Sequence, residues 1–240
     1  MKYLVVFIVS LMHTSLLFAQ ELTGKALLSK SIAFHDPEGK WESFSGSFEV
    51  YMEMPDRPER TSKITIDLPS EYFKVIAESD SVTTGYTIDK GKCSISLNGK
   101  TELSKAELFE HDLSCDRAEL YKNYYTYLYG LPMKLKDAGT QVSDTVERKN
   151  FRGKDYLVLE VTYAKTVGSD IWYFYFDPET YAMEIYQFFK SDENGNMIPK
   201  SGEFILLSEY ETIDSIKMPK VRAWYYNKDD SYLATDILRQ

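Results

Sequence analysis

The chain has 240 residues, a formal net charge of −9 and 27% charged side chains. An acidic surface with no Lys/Arg cluster to reverse it locally repels phosphate backbones, which argues against nucleic acid as a partner. Aromatic residues make up 15%, nineteen of them tyrosine, and this favours sheet over helix: the ring fills a half-buried face while the hydroxyl stays wet.

Residues 1–19, MKYLVVFIVSLMHTSLLFA, read as a cleavable export signal. Lys2 precedes an apolar stretch from Tyr3 to Leu11 and a second from Leu16 to Ala19, too short and too interrupted to span a bilayer. Ala19 offers a small residue for cleavage, so the expected mature chain is one domain over 20–240, periplasmic or released from the cell and not membrane-spanning. No cysteine adjoins the cleavage point to take an acyl tether. Cys93 and Cys115 are the only cysteines. They form either a disulfide, which an oxidising compartment favours, or a pair of buried thiols. Their spacing is not that of a redox or zinc motif, so neither metal nor cofactor is expected.

Thr23 opens a helix with Leu27, Leu28, Ser31 and Ile32 on one face, stopped by His35-Asp36-Pro37-Glu38-Gly39. Period-two segments follow. Phe48, Val50 and Met52 share one face, as do Ile64, Ile66 and Leu68; Phe73, Val75 and Ala77 interleave with Tyr72, Lys74 and Ile76. Ile95 and Leu97 lead to Asn98-Gly99, a hairpin signal. The period then changes. Ser104 with Glu107 and Asp116 with Glu119 each resemble a capped helix start. The second helix, about 115–129, carries Tyr121, Tyr124, Tyr125, Tyr127 and Tyr129 with Leu128, and Gly130 and Pro132 close it. It reads either as a helix packed on a sheet or as a lid over an apolar ligand.

Strands resume at Tyr156–Tyr163, Ile171–Phe176, Ala182–Phe189, Glu203–Tyr210, Val221–Tyr226 and Tyr232–Ile237. Ten or so short strands joined by turns predict an α+β fold, a large curved antiparallel sheet covered by two or three helices. Trp172, Phe174 and Phe176 alternate with Tyr173 and Tyr175, so that strand is aromatic on both faces. It needs cover on both, from a helix outside or a ligand within.

Catalytic signatures are missing. His35 and His111 each precede an aspartate, and adjacent side chains diverge too far for a triad. Capping or solvation is the ordinary reading of both. Asp192-Glu193-Asn194-Gly195-Asn196 lacks the glycine placement and distal glutamate of a calcium loop and reads as a solvated turn.

Several segments resemble the periplasmic lipoprotein carriers, the LolA/LolB-like superfamily: Phe44-Ser45-Gly46-Ser47-Phe48, Leu68-Pro69-Ser70-Glu71-Tyr72-Phe73-Lys74, Phe176-Asp177-Pro178-Glu179-Thr180 and Ile213-Asp214-Ser215-Ile216-Lys217-Met218-Pro219. The aromatic blocks Tyr124–Leu135 and Gly168–Phe189 further resemble an uncharacterised bacterial family of exported proteins. The superfamily resemblance implies an incomplete β-barrel of about ten or eleven strands whose cavity receives acyl chains. One departure is Leu68, where those carriers place an arginine that latches the lid helix. The expected activity is non-catalytic binding or carriage of an apolar ligand, a lipid or lipoprotein acyl chain. Phe48, Val50, Ile64, Ile66, Trp172, Phe174, Phe176 and Ile185 would line the cavity, with Tyr124 and Leu128 on the lid. The alternatives are a filled module that docks an envelope protein, and a hydrolase with an unrecognised site.

Overall fold

A computed structural model describes residues 21–240, so the expected export signal at 1–19 lies outside the described residues. Among these residues no helix is long and apolar enough to cross a membrane. The Thr23 hydroxyl accepts the Ala26 N–H and starts α1, Gly24–His35. Five strands follow: β1 (Ser45–Glu53), β2 (Arg60–Asp67), β3 (Tyr72–Ser79), β4 (Val82–Asp89) and β5 (Lys92–Leu97). Next come α2 (Lys105–Glu110) and α3 (Cys115–Gly130). The chain returns through β6 (Thr140–Phe151), β7 (Lys154–Tyr163), β8 (Ile171–Phe176), β9 (Met183–Phe189), β10 (Glu203–Ile213), β11 (Ile216–Tyr226) and β12 (Tyr232–Arg239).

All twelve strands form one antiparallel sheet in the order β5-β4-β3-β2-β1-β12-β11-β10-β9-β8-β7-β6. The first strand pairs with the last in the middle of the sheet. The two edges, β5 and β6, are consecutive in sequence and never meet. The helices lie between them in the chain, so the barrel stays open where α2 and α3 are inserted.

Twelve strands exceed the ten or eleven expected. β6 carries few apolar residues, has no buried residue, and breaks register between Val142 and Val146. Its Asp144, Glu147, Arg148 and Lys149 suit an edge that must not pair with another chain, and that polarity hid it from a periodicity reading. The Asn98-Gly99 turn forms, with Leu97 and Lys100 exchanging two 2.9 Å backbone hydrogen bonds. No full strand follows, because β5 is already the sheet edge. The capping box on α2 is present as expected, Ser104 and Glu107 each bonding the other's backbone. The cap of α3 is Ser114, whose hydroxyl accepts the Arg117 N–H, and not Asp116.

Both helices fill the concave side. α3 lies against β3, β4 and β5, while α1 lies against β6 and β11. Leu27, Leu28, Phe48, Val50, Ile64, Ile66, Phe174, Phe176 and Leu128 join one buried cluster there. Cys93 of β5 is bonded to Cys115 at the start of α3, with Cα atoms 5.9 Å apart. The bridge ties the helix to the sheet edge, and closing a loop of this length contributes about 3 kcal/mol in the chain-entropy account.

Gly24 sets how closely α1 approaches β6. A Cβ there would stand 1.8 Å from the Ser143 carbonyl oxygen and 2.8 Å from a Leu159 methyl. Because the nearer atom is backbone, it cannot rotate away. Gly24→Ala is therefore expected to destabilise by about 1–3 kcal/mol, read as a lower urea midpoint with unchanged m value.

Candidate functional site: a groove and the charged row behind it

An open groove of ≈ 760 Å³ separates α3 from the start of β8 and the segment preceding it. Leu120, Tyr124, Tyr127, Tyr163, Val167 and Trp172 supply its apolar surface. The volume lies in the ordinary range for small-molecule sites. Helical spacing puts Leu120, Tyr124 and Tyr127 on one flank of α3, while strand alternation turns Trp172 inward. Trp172 is braced by Phe188 at 4.9 Å and meets Tyr127 edge-on at 5.9 Å. The hydroxyls of Tyr127 and Tyr163 hydrogen-bond across the groove. Burial pushes the Tyr124 and Tyr127 phenols well above their usual range, so both stay neutral. Leu120 and Val167 are 62% and 58% exposed at the rim.

Behind Tyr124 the concave face carries charge. Cross-strand register aligns Arg60, Met52, Asp236, Arg222 and Leu207 in one row over β2, β1, β12, β11 and β10. Arg222 is 1% exposed and Asp236 2%. The Arg222 guanidinium sits 3.9 Å from the Tyr129 ring centre and donates to the Pro219 carbonyl at 2.9 Å, with a longer reach of 3.5 Å to the Leu128 carbonyl. Burial raises the Asp236 carboxyl to about 6 despite the opposing charges of Arg222 and Arg60. Arg60 Nε, Arg222 Nε, Asp236 Oδ1, Trp224 Nε1 and the hydroxyls of Tyr129 and Tyr186 are buried without a protein partner.

Nine of the ten residues expected to line the cavity share the concave side. Only Tyr124 and Trp172 reach the groove. Phe48, Val50, Ile64, Ile66, Leu128, Phe174 and Phe176 are buried against neighbouring side chains; Phe48, for instance, packs on Tyr129 at 4.7 Å. Ile185 points the other way, into a small convex cluster with Tyr156, Val158 and Tyr175, and Tyr186 takes the inward position. A bulge in β9, where Glu184 has no partner opposite Tyr175/Phe176, shifts the alternation by one, so Met183 and Tyr186 face inward and Ile185 outward. That convex cluster is packed by Phe151, Tyr173 and Leu206, so neighbouring strand residues cover the second aromatic face of β8.

Arg60, Arg222 and Asp236 escaped the sequence reading. Their signal is nonetheless present: Arg222 shares a strand face with Trp224, and Asp236 with Ala234 and Leu238. A charge at an inward strand position is the pattern to look for.

His35 is fully buried, neither solvated nor a cap. Its Nδ1 donates to the Lys217 carbonyl at 2.8 Å and its Nε2 accepts the Met183 N–H at 3.1 Å, joining α1 to β11 and β9. Asp192 binds the backbone of Asn194 and Asn196 within its own turn, as a solvated hairpin would.

A LolA superfamily protein of Nitrosomonas europaea superposes with a TM-score of 0.50 at 11% identity, over 91% of this chain and 92% of that one. A DUF1329 family protein of Desulfovibrio piger gives 0.48 at 10% identity, over 90% and 91%. The chain itself belongs to DUF6503, a family of unknown function whose model matches residues 2–239. No curated protein matches it in sequence.

Proposed function

We propose that this protein is an exported, non-catalytic carrier that holds an apolar chain in the groove between α3 and β8. The open groove carries the reading: Tyr124, Tyr127, Tyr163 and the braced Trp172 line it among polar residues that include Lys122, Lys134, Asp137 and Asp170, and its rim exposes Leu120 and Val167. Each methylene withdrawn from water there contributes about 0.8 kcal/mol, so a short alkyl segment suffices for useful affinity. The LolA-type fold and the resemblance noted above support carriage of a lipid or acyl group. The Cys93–Cys115 bond suits an oxidising compartment outside the cytoplasm. Native mass spectrometry of protein purified from cells tests the reading, with a co-purified lipid mass as the expected result. Trp172→Ala is expected to weaken binding of a hydrophobic dye by about 1–2 kcal/mol in a fluorescence titration. An unchanged isotherm would place binding elsewhere.

The filled interior favours a second reading, a module that docks another envelope protein. Phe109 on α2 is 90% exposed and would anchor such a contact. A protein with no lipid mass and no dye binding would point there.

A further inference from the structure

The groove explains an apolar chain but leaves the charged row without a purpose. Arg60 and Arg222 together carry two positive charges against the single carboxylate of Asp236, and among the described residues neither arginine has a carboxylate within 4 Å. Arg222 and Asp236 are both buried, and Arg60, partly exposed but with its Nε buried, adds a second positive charge at the end of the row. Uncompensated buried charge is costly, and unpartnered buried donors add to that cost. Donors outnumber acceptors: Arg222 Nε, Arg60 Nε, Trp224 Nε1 and two tyrosine hydroxyls stand beside one unpartnered acceptor, Asp236 Oδ1, so the row has room in its hydrogen bonding for further acceptor oxygens. Tyr124 connects the two regions: its ring walls the groove and meets Tyr125 edge-on at 5.2 Å, and Tyr125 lies 6.0 Å from the Tyr129 ring that covers Arg222. Aromatic contacts continue the path inward, Trp172 to Tyr186 at 6.2 Å and Tyr186 to Trp224 at 6.2 Å.

Building on the groove reading, we infer that the ligand is a single-chain amphiphile with an anionic head, the chain lying along the groove and the head drawn past Tyr124 toward Arg222 and Arg60. A carboxylate head fits the planar forks of the two arginines. Arg222 and Asp236 are buried and line no part of the groove, so entry of the head requires the Tyr124 ring to swing aside.

The test is a calorimetric titration of the whole mature protein with dodecanoate, dodecanol and acetate, each below its aggregation limit. Dodecanoate is expected to bind at least about tenfold more tightly than dodecanol, the scale of one charge-assisted hydrogen bond. Acetate alone is expected to bind far more weakly than either. Arg222→Gln should remove the preference for dodecanoate while leaving dodecanol binding intact. Arg60→Gln, at a less buried position, supplies the same comparison if the first variant fails to fold. Equal affinity for dodecanoate and dodecanol would overturn the head-group assignment while sparing the groove. Acetate binding as tightly as dodecanoate would make the row a simple anion site. If no alkyl compound binds, the groove reading falls, and this inference with it.

Discussion

Arg222→Met combined with Asp236→Leu is expected to raise stability by about 1–4 kcal/mol, the range seen when buried ionic groups give way to apolar side chains of similar size. The parent pays for desolvating both groups. Although Arg222 and Asp236 are directly opposed in register, they form no ion pair within 4 Å and leave Arg222 Nε and Asp236 Oδ1 without partners. Arg222→Met alone behaves oppositely. It leaves the Asp236 carboxylate buried with only the more distant Arg60 charge, and costs about 3–5 kcal/mol at pH 7.5. Part of that loss returns near pH 5, where a carboxyl raised to about 6 is mostly protonated. Urea midpoints of the parent, the single and the double variant at the two pH values make the comparison. A double variant less stable than the parent would mean that the row is a structural element, with its charges needed for folding.

The two halves of this molecule differed in how plainly their sequence announced them. Strands β1 and β2 alternate strictly, so the pattern puts Phe48, Val50, Ile64 and Ile66 on one face, and that face is buried. β8 and β9 are apolar on both faces, and there alternation carries little information. One bulge was enough to turn Ile185 outward. β6 failed for the opposite reason, being polar on both faces at an exposed edge. The occupation of the concave side was illegible too. Tyr125 and Tyr129 fill space that an acyl cavity would need, and only three-dimensional packing reveals which of five helical tyrosines turn inward. The groove depends on Trp172 of β8 meeting Tyr127 of α3 from across the fold, a contact no local pattern encodes.

His35 gives the second large effect, through acid. Its imidazole is held with a proton on Nδ1 by the Lys217 carbonyl, while Nε2 receives the Met183 N–H. Burial lowers its pKa to about 4; the hydrogen bond to the Lys217 carbonyl opposes that shift, and the Lys217 and Arg222 charges reinforce it. Protonating Nε2 would set one N–H against another. The folded pKa lies below the ordinary value of 6.5, so its titration leaves stability unchanged above that pH. As pH falls from 6.5 to 4 the unfolded chain takes up the proton first, and stability drops by a total of about 3 kcal/mol. Asp236 acts in the other direction over nearly the same interval. Its folded pKa is raised to about 6, so the native state binds a proton ahead of the unfolded chain as pH falls, and stability rises. The parent should therefore show a nearly flat urea midpoint between pH 6.5 and 4. His35→Gln, whose amide can both donate to Lys217 and accept from Met183 without titrating, unmasks Asp236, and its midpoint is expected to climb as pH falls through that interval. Asp236→Asn unmasks His35, and its midpoint is expected to fall. A His35→Gln profile that runs parallel to the parent would show that His35 is not held neutral, and the joint it makes between α1, β9 and β11 would then owe nothing to its tautomer.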